Sequence, residues 1–546
     1  MIRRAYRFVP ATLWLWFSLL NQIEQASAVD AGQMQRGKLL YLQNCVICHQ
    51  SAGQGTLGTF PPLAGSDVLT NDFKKAILAV VQGLSGKLTV NGTAYDGIMP
   101  PVNLDDMKVA DVLTYVRNSF GNSGAGVTPD EVKSVRAGSR FPTYAALLAA
   151  NSYPALPKAP NGFAVREVVR LSEHGHRLAS DNGKGLFVLG PKGQVWGVEI
   201  SSGKLTPVLK PEQYMDSALG DPSTLGMTFD KQHRFYVVAD QRKESSPFVT
   251  NIVTIFRSAG LQKGKIEKPV PWFRTSYPWG IGPFNHGVSH IAQGPDGFIY
   301  VSSGSRTDGN EAGTDPRYYK GSEVDITGCI WRLDPRTEKP ELEIYARGLR
   351  NPYGFCWTDK GEMFATDNGP DADAPEELNC IEKGKHYGFP FKFSNWKDKP
   401  YQYTPDPPPS MEFTLPVANL GPAASGSSQT PCYTFGPHTS PAGIAFLGDD
   451  FPEPVRGSLL TGRFGNLIKQ PADGGFDLLR LKPVKNAQGN YETEVHTVLA
   501  PVARPLDVLV MGKGKVYILE YSRQTEHRAD VAMLPGRILE LSVMKP

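Results

Sequence analysis

Two thiols and an imidazole stand within five residues at Cys45-Val-Ile-Cys48-His49. That spacing suits covalent haem attachment: the two cysteines capture the vinyl groups as thioethers, and the adjacent His49 reaches the iron. A second axial ligand must come from elsewhere. Met99, in Gly97-Ile-Met-Pro-Pro101, lies on what reads as a loop before the last helix and is the expected ligand; Met107, on that helix, and Met34, ahead of the motif, suit the role less. A redox dithiol or half of a zinc site would need a βαβ frame or a second Cys pair nearby, and the sequence holds neither.

A second concentration of polar chemistry lies far downstream, in Gly348-Leu-Arg-Asn-Pro-Tyr-Gly354, Ala365-Thr-Asp-Asn-Gly-Pro-Asp371, Glu376-Glu-Leu-Asn379 and Gly388-Phe-Pro390. Arg350 can grip a carboxylate through two N–H groups. The oxygen-rich loop from Asp367 to Asn379 suits a hard cation such as Ca²⁺, although Asp and Gly clusters also build ordinary turns.

These groups need elements to hold them. Residues 30–122 carry helical signals: Asp105-Asp106 opens an amphipathic stretch with Val109, Val112, Leu113 and Val116 on one face, and Gly121 stops it. Residues 123–162 read as a linker, with a short Ala/Leu-rich helix over Tyr144 to Ala150 followed by Pro154, Pro157 and Pro160. From 163 to 546 a turn followed by a short β-favouring run recurs, beginning at Gly185, Arg234, Gly297, Gly361, Gly457 and Gly514. Companion strands follow, such as Cys329-Ile-Trp-Arg-Leu and Arg537-Ile-Leu-Glu-Leu. A β-sandwich pair also permits short strands at such spacing, but six similar hairpins favour a closed ring. The expected fold is mainly β, a six-bladed β-propeller preceded by a small all-α domain.

Arg3, Arg4 and Arg7, the apolar run Phe8–Leu20 and Ala26-Ser27-Ala28 have the layout of a signal peptide over residues 1–28. The apolar run is shorter than the roughly 20 residues that span a bilayer. The expectation is therefore export to the periplasm, with no transmembrane anchor after cleavage. A net charge of +3 over 546 residues, with no long Lys/Arg run, gives no nucleic-acid surface. Cys329, Cys356, Cys380 and Cys432 can form two disulfides in any of three pairings, or remain buried thiols.

The haem motif, Phe60-Pro-Pro-Leu-Ala-Gly65 and the run Val112–Asn122 together resemble class I cytochromes c, especially those that accept electrons from periplasmic dehydrogenases. The resemblance implies that Pro62 and Leu63 pack near His49 and that haem c, with both axial positions filled, carries electrons. The later segments are similar to the soluble quinoprotein sugar dehydrogenases of the glucose/sorbosone type, six-bladed propellers that use pyrroloquinoline quinone (PQQ). The shared stretches are Gly348-x-Arg-Asn-Pro352, Asn368-Gly-Pro370, Glu377-Leu-Asn379, Tyr387-Gly-x-Pro390, His286-Gly-Val-Ser-His-Ile-Ala-Gln-Gly-Pro-Asp-Gly297, Ser440-Pro-Ala-Gly-Ile-Ala-Phe446 and Arg504-Pro-Leu-Asp507.

Carried onto this chain, the resemblance implies that His286 is the general base, that Arg350 and Asn351 hold PQQ, and that the carbonyls of Gly369 and Pro370 bind Ca²⁺. His290 is then a structural residue. Three positions depart from the pattern. Ser305 stands where glucose-oxidising members have Asp, as in sorbosone-type relatives. Gly465 stands where some members place a Lys on the PQQ carboxylates. Arg504 remains from an Arg-x-Arg pair whose other position is Leu506, so Arg463 or Arg523 is expected to compensate. The implied function is a periplasmic quinohaemoprotein oxidoreductase. It oxidises a sugar or a related alcohol or aldehyde and passes electrons to its own haem, then to another cytochrome or a respiratory oxidase. Because a propeller alone does not settle function, a metal-dependent lactonase or a non-catalytic electron-transfer or sensor scaffold are the alternatives.

Overall fold

A computed structural model of the protein describes residues 29–55, 60–99, 101–102, 104–137, 151–280, 285–312, 319–372, 374–394, 399, 401–424, 432–465, 474–523, 525 and 534–544. The expected signal peptide and the expected helix at 144–150 lie outside these residues. Two compact units divide the chain, 1–144 and 145–546.

In the first unit the helices Ala31–Asn44 and Asp106–Arg117 pack face to face. Asp30 caps the first by accepting from the Gln33 N–H at 2.8 Å, and Asp105 caps the second through the Lys108 N–H at 2.9 Å. Val109, Val112, Leu113 and Val116 are all buried, as the apolar stripe requires. The helices meet so closely at Gly37 that a Cβ there would stand 2.0 Å from the Asp111 carbonyl.

Two features depart from the expectation. Residues Leu84–Val90 and Thr93–Met99 form a β-hairpin, so the unit is not all-α. Its turn is Asn91-Gly92, both left-handed at φ 50° and 77°, the geometry a two-residue hairpin turn demands. The helix Pro129–Ala137 extends this unit past residue 122: Val132 is buried in the same core, and Arg136 pairs with Asp106 at 2.7 Å. Thr128 and Glu131 form its capping box, ahead of a proline at the first helical position.

The second unit is a six-bladed propeller. Its innermost strands are Arg177–Asp181, Pro222–Phe229, Val288–Gln293, Pro352–Trp357, Pro441–Leu447 and Pro505–Val510. The next strand outward in each blade is Lys184–Leu189, Phe235–Lys243, Ile299–Ser303, Met363–Asp367, Ser458–Arg463 and Lys515–Glu520, and these are the six recurring runs of the sequence. Blades cover them on both faces, which is why several read as unbroken apolar runs. The strand Phe163–Arg170 completes the sixth blade by pairing antiparallel with Arg537–Val543, which closes the ring.

One guanidinium knots the axis. Arg177 is 1% exposed; it donates to the carbonyls of Leu225 (2.9 Å), Ser289 (3.2 Å) and Tyr353 (3.2 Å) and to Asp507 at 3.1 Å. The other Asp507 oxygen accepts from the Leu178 N–H at 2.7 Å. Leu225, Ser289 and Tyr353 each sit where the pairing register of an innermost strand slips. Such bulges re-aim the backbone, and here they present carbonyls to Arg177.

Cys329, Cys356 and Cys380 are free thiols, so of the two alternatives the pair of disulfides does not form; each packs in an apolar cluster instead. The Cys432 side chain lies outside the described ones.

Candidate active site

Because strands alternate in direction within a blade, residues just before an innermost strand and just after the next strand outward gather at one end of the propeller. His286, Arg350, Asn351 and Arg504 precede innermost strands; Ser305, Asn368, Gly369, Arg463 and Tyr521 end or follow their neighbours. The sequence-predicted residues therefore share one face, although they span more than 200 residues of chain.

His286 is half-buried and locked in orientation. Its Nδ1 lies 3.0 Å from the Ser305 carbonyl and 3.1 Å from the Ser305 Oγ, and that Oγ itself donates to the Thr307 carbonyl at 2.7 Å. With acceptors on that side, Nδ1 carries the hydrogen and Nε2 presents a lone pair. Burial, followed by the charge of Arg350, lowers His286 to about 3, with the Ser305 contact and Asp308 opposing. The ring is thus neutral at ordinary pH, with its Nε2 lone pair unprotonated. Ser305, a departure from the glucose-oxidising pattern, is the residue that fixes it, and its N–H also donates to the Arg350 carbonyl at 2.7 Å.

Gly304 is where this cluster is tightest. A Cβ there would stand 2.4 Å from the His286 Cβ and 3.5 Å from Asn351 Oδ1. Gly304→Ala is expected to push His286 out of place, lowering turnover at least ~10-fold, since misplacements of about 1 Å carry such effects. Thermal unfolding should shift little; an unchanged rate would show that the contact yields without consequence.

Arg350 is buried and already engaged. Its Nε donates to the Asp308 carbonyl at 3.0 Å, Nη1 to the Asn368 carbonyl at 3.0 Å, and Nη2 to the Asp308 carboxylate. The backbone N–H groups of Arg350 and Asn351 each take one oxygen of Asp367, at 3.1 and 2.6 Å. Asp367 faces Glu377 across the strands Met363–Asp367 and Glu377–Ile381. Burial first, then the Glu377 charge, pushes Asp367 up to about 8. Burial raises Glu377 as well, so the two carboxyls resist being ionised together.

The other predicted cations are also occupied. Arg463 forms a two-pronged pair with Asp477 at 2.9 and 2.6 Å. The Arg504 guanidinium lies 4.9 Å from the Phe464 ring centre and 4.8 Å from that of Phe476, with Nη1 at 3.3 Å from the Gly465 carbonyl. Arg523 turns to the Asn151 carbonyl at 2.7 Å and stacks on Tyr153 at 4.1 Å, on the segment preceding the first strand. His290 packs edge-on to Phe355 deep in the unit, in keeping with a structural role.

Around Gly369 the carbonyls of Pro375 and Ala374 lie 3.1 and 3.4 Å from where a Cβ would stand. Among the described residues no three His, Cys, Asp or Glu side chains converge on a metal position. A hard cation here would rely on backbone oxygens, which is the donor type Gly369 and Pro370 offer. For PQQ, Asn351 and Arg350 beside the neutral His286, and the ring-flanked Arg504, suit a planar anion, while Arg350 and Arg463 bring charges that Asp308 and Asp477 already balance.

Sequence reasoning missed Asp308, which organises Arg350; Tyr401, whose hydroxyl donates to the Asp308 carboxylate; and His174, stacked on Tyr521 at 4.2 Å. None lies in a recurring motif. Position after the third blade's second strand was the one signal available for Asp308.

The haem site in the first unit is likewise built. His49 is 6% exposed, and its Nδ1 donates to the Pro61 carbonyl at 3.0 Å, which leaves Nε2 for iron. The carbonyl is that of Pro61, one residue ahead of the expected Pro62-Leu63 pair. Leu63 and Met99 pack on the same apolar cluster as Cys45. Met99 ends the strand Thr93–Met99 rather than lying in a loop; Met107 is 61% exposed, turned away from that cluster, whereas Met34 packs on it. Burial pushes the Cys45 and Cys48 thiols up to about 12 and 11, unfavourable for thiolate redox chemistry.

A family model described as Glucose / Sorbosone dehydrogenase matches residues 185–524, and one described as Cytochrome c matches 34–120. Quinoprotein glucose dehydrogenase B of Acinetobacter calcoaceticus is 25% identical over 298 residues, 47% of this chain and 60% of that relative. Cytochrome c-552 of Thermus thermophilus is 36% identical over 111 residues, 18% of this chain and 84% of the relative. The cytochrome c subunit of the quinone alcohol dehydrogenase of Gluconobacter oxydans (strain 621H) is 32% identical over 120 residues, 19% of this chain; the chain spans 23% of that subunit. Among solved structures, the PQQ-bound aldose sugar dehydrogenase of Streptomyces coelicolor is 21% identical with a TM-score of 0.47, over 70% of this chain and 99% of that one.

Proposed function

Since the chain belongs to the glucose/sorbosone dehydrogenase family and carries a cytochrome c domain ahead of its propeller, we propose that it is a periplasmic quinohaemoprotein dehydrogenase for a sugar or related alcohol, with electrons leaving through its own haem. The observation that carries this reading is His286: a neutral imidazole whose Nδ1 is engaged by Ser305, which leaves the lone pair on Nε2, beside Arg350 and Asn351.

PQQ would be held by Arg350, Asn351 and Arg504, with Arg463 nearby, and Ca²⁺ by the carbonyls of Gly369 and Pro370. When bound, PQQ would supply a two-electron acceptor, and haem c, which Cys45, Cys48, His49 and Met99 would hold, a one-electron carrier. The chain's own share is proton management and positioning. Oxidation of a carbinol removes a hydride from carbon and a proton from oxygen; His286 Nε2 takes that proton, and the Ser305 carbonyl steadies the imidazolium through Nδ1–H. Asp367 holds the backbone of Arg350 and Asn351, so both side chains meet their ligand already oriented. Joining donor and acceptor in one chain raises their effective concentration. The arginine-flanked apolar start of the sequence supports export.

Reconstitution tests the proposal. Apo-protein given PQQ and Ca²⁺ is expected to reduce its own haem, read by absorption, when an aldose is added. Lactone hydrolysis without PQQ would instead mark a hydrolase, and no response to either substrate would mark a scaffold; either result overturns the reading.

A further inference from the structure

The strand Phe235–Lys243 opens as an unbroken apolar run, Phe235-Tyr-Val-Val-Ala239, and then carries a carboxylate, Asp240, that is buried. A carboxylate there needs partners, because burial without them is costly. One of them lies a blade away, on the chain that leaves His286. We propose that Asp240 is a positioning residue for the base, fixing the direction of the His286 imidazole through the Gly287–Val288 peptide; this rests on the dehydrogenase reading above and adds a residue to that site.

His286 stands just ahead of the innermost strand Val288–Gln293. Its own blade holds it through Ser305, whose carbonyl accepts the His286 backbone N–H at 3.0 Å and lies 3.0 Å from Nδ1. The ladder to the next strand outward then slips between Val288 and Ile291, so regular pairing reaches this stretch only at Val288 and Ser303. The Gly287–Val288 peptide joins the two. Its oxygen accepts from the Gly304 N–H at 2.7 Å, and its N–H donates to both Asp240 oxygens, at 3.2 and 3.1 Å. That one peptide is therefore tied on one side to its own blade and on the other to the blade before it. Gly287 permits the approach: its φ is 71°, and a Cβ there would stand 3.1 Å from the Asp240 Cγ.

Asp240 is itself set in place. Asn251, buried on the strand Thr250–Ser258, donates from Nδ2 to the Asp240 Oδ1 at 2.6 Å and to the hydroxyl of Tyr277, on the strand Val270–Pro278, at 2.8 Å. The Asn251 side-chain oxygen is buried without a hydrogen-bond partner. Three strands of one blade thus brace a carboxylate that reaches across to the backbone beside His286. Without that carboxylate the buried Val288 N–H loses its acceptor, which buried amides rarely tolerate. The peptide would turn to recover one, and Gly287, with no side chain to resist, would let His286 turn with it.

Two measurements on the full-length protein test the role. With PQQ and Ca²⁺ loaded and an aldose as substrate, Asp240→Ala is expected to lower kcat by ~10-fold or more while KM stays within about twofold, the pattern of a base misplaced by about 1 Å with substrate binding intact. Asp240→Asn should recover most of the lost rate: its amide oxygen still accepts the Val288 N–H, and its amide N–H meets the unpartnered Asn251 oxygen once that side chain turns over. The second measurement needs no turnover. In the reduced protein without PQQ, ¹⁵N-histidine spectra, with His286 assigned by the signal absent from His286→Gln, should show the Nδ1–H tautomer alone in wild type and Asp240→Asn, and a mixture of tautomers in Asp240→Ala. Should Asp240→Ala not fold, Asp240→Val, whose side chain suits a strand, takes its place in both measurements. In a protein that oxidises sugar, a wild-type kcat or wild-type His286 signals in the variant lacking the carboxylate would overturn the positioning role. His286 signals that depend on Asp240 in a protein that oxidises nothing would leave that role standing and defeat the dehydrogenase reading.

Discussion

Replacing His286 with Gln is expected to slow sugar-driven reduction of the haem by ~10²- to 10⁴-fold, the range a positioned general base contributes. Glutamine retains the size and polarity of the imidazole but has no basic lone pair. The protein carries its own control, since dithionite should still reduce the haem fully and thermal unfolding should match wild type. Turnover within threefold of wild type would remove His286 from the chemistry. The pH dependence sharpens the test. Burial lowers His286 from the ordinary imidazole value of 6.5 to about 3, so the unprotonated form prevails throughout the range above that value. The rate should therefore show no acid limb near 6.5. Stability moves differently: the unfolded chain takes up a proton at His286 below about 6.5 while the native state refuses it until about 3, so this residue's contribution becomes destabilising as pH falls through that window.

Asp507→Ala is expected to cost the propeller about 3–5 kcal/mol, the penalty of stranding one partner of a buried pair. Arg177 would keep its three carbonyl contacts but lose its only carboxylate among the described residues, and the Leu178 N–H would lose its acceptor. Urea unfolding followed by tryptophan fluorescence measures the loss. The double variant Arg177→Met, Asp507→Leu should recover much of it, because removing both charges avoids the stranded one. If Asp507→Ala alone moved stability by less than ~0.5 kcal/mol, the ordinary range of surface changes, the axial knot would be incidental.

What the sequence revealed follows from how local each feature is. The six repeated runs were legible because a second strand buried on both faces is apolar along its length and begins at a turn. His286 and Arg350 were legible because each lies in a short motif. Asn91-Gly92 and the Thr128/Glu131 capping box were equally local, and both could have been read from their residue types. By contrast, Arg350 meets Asp308 across 42 positions, Tyr401 meets Asp308 across 93 and Arg177 meets Asp507 across 330. Such partners become neighbours only when the ring closes, and no periodicity records them. The charge balance of the pocket was illegible for the same reason: Arg350 and Arg463 read as free cations until Asp308 and Asp477 are set beside them.

The sixth blade is stitched from both ends of the propeller's chain, Phe163–Arg170 lying along Arg537–Val543. Such a clasp cannot fasten stepwise during synthesis. Until the final strand arrives, the ring has an unhooked seam and its first strand no berth. Once fastened, neither end can peel away without the other.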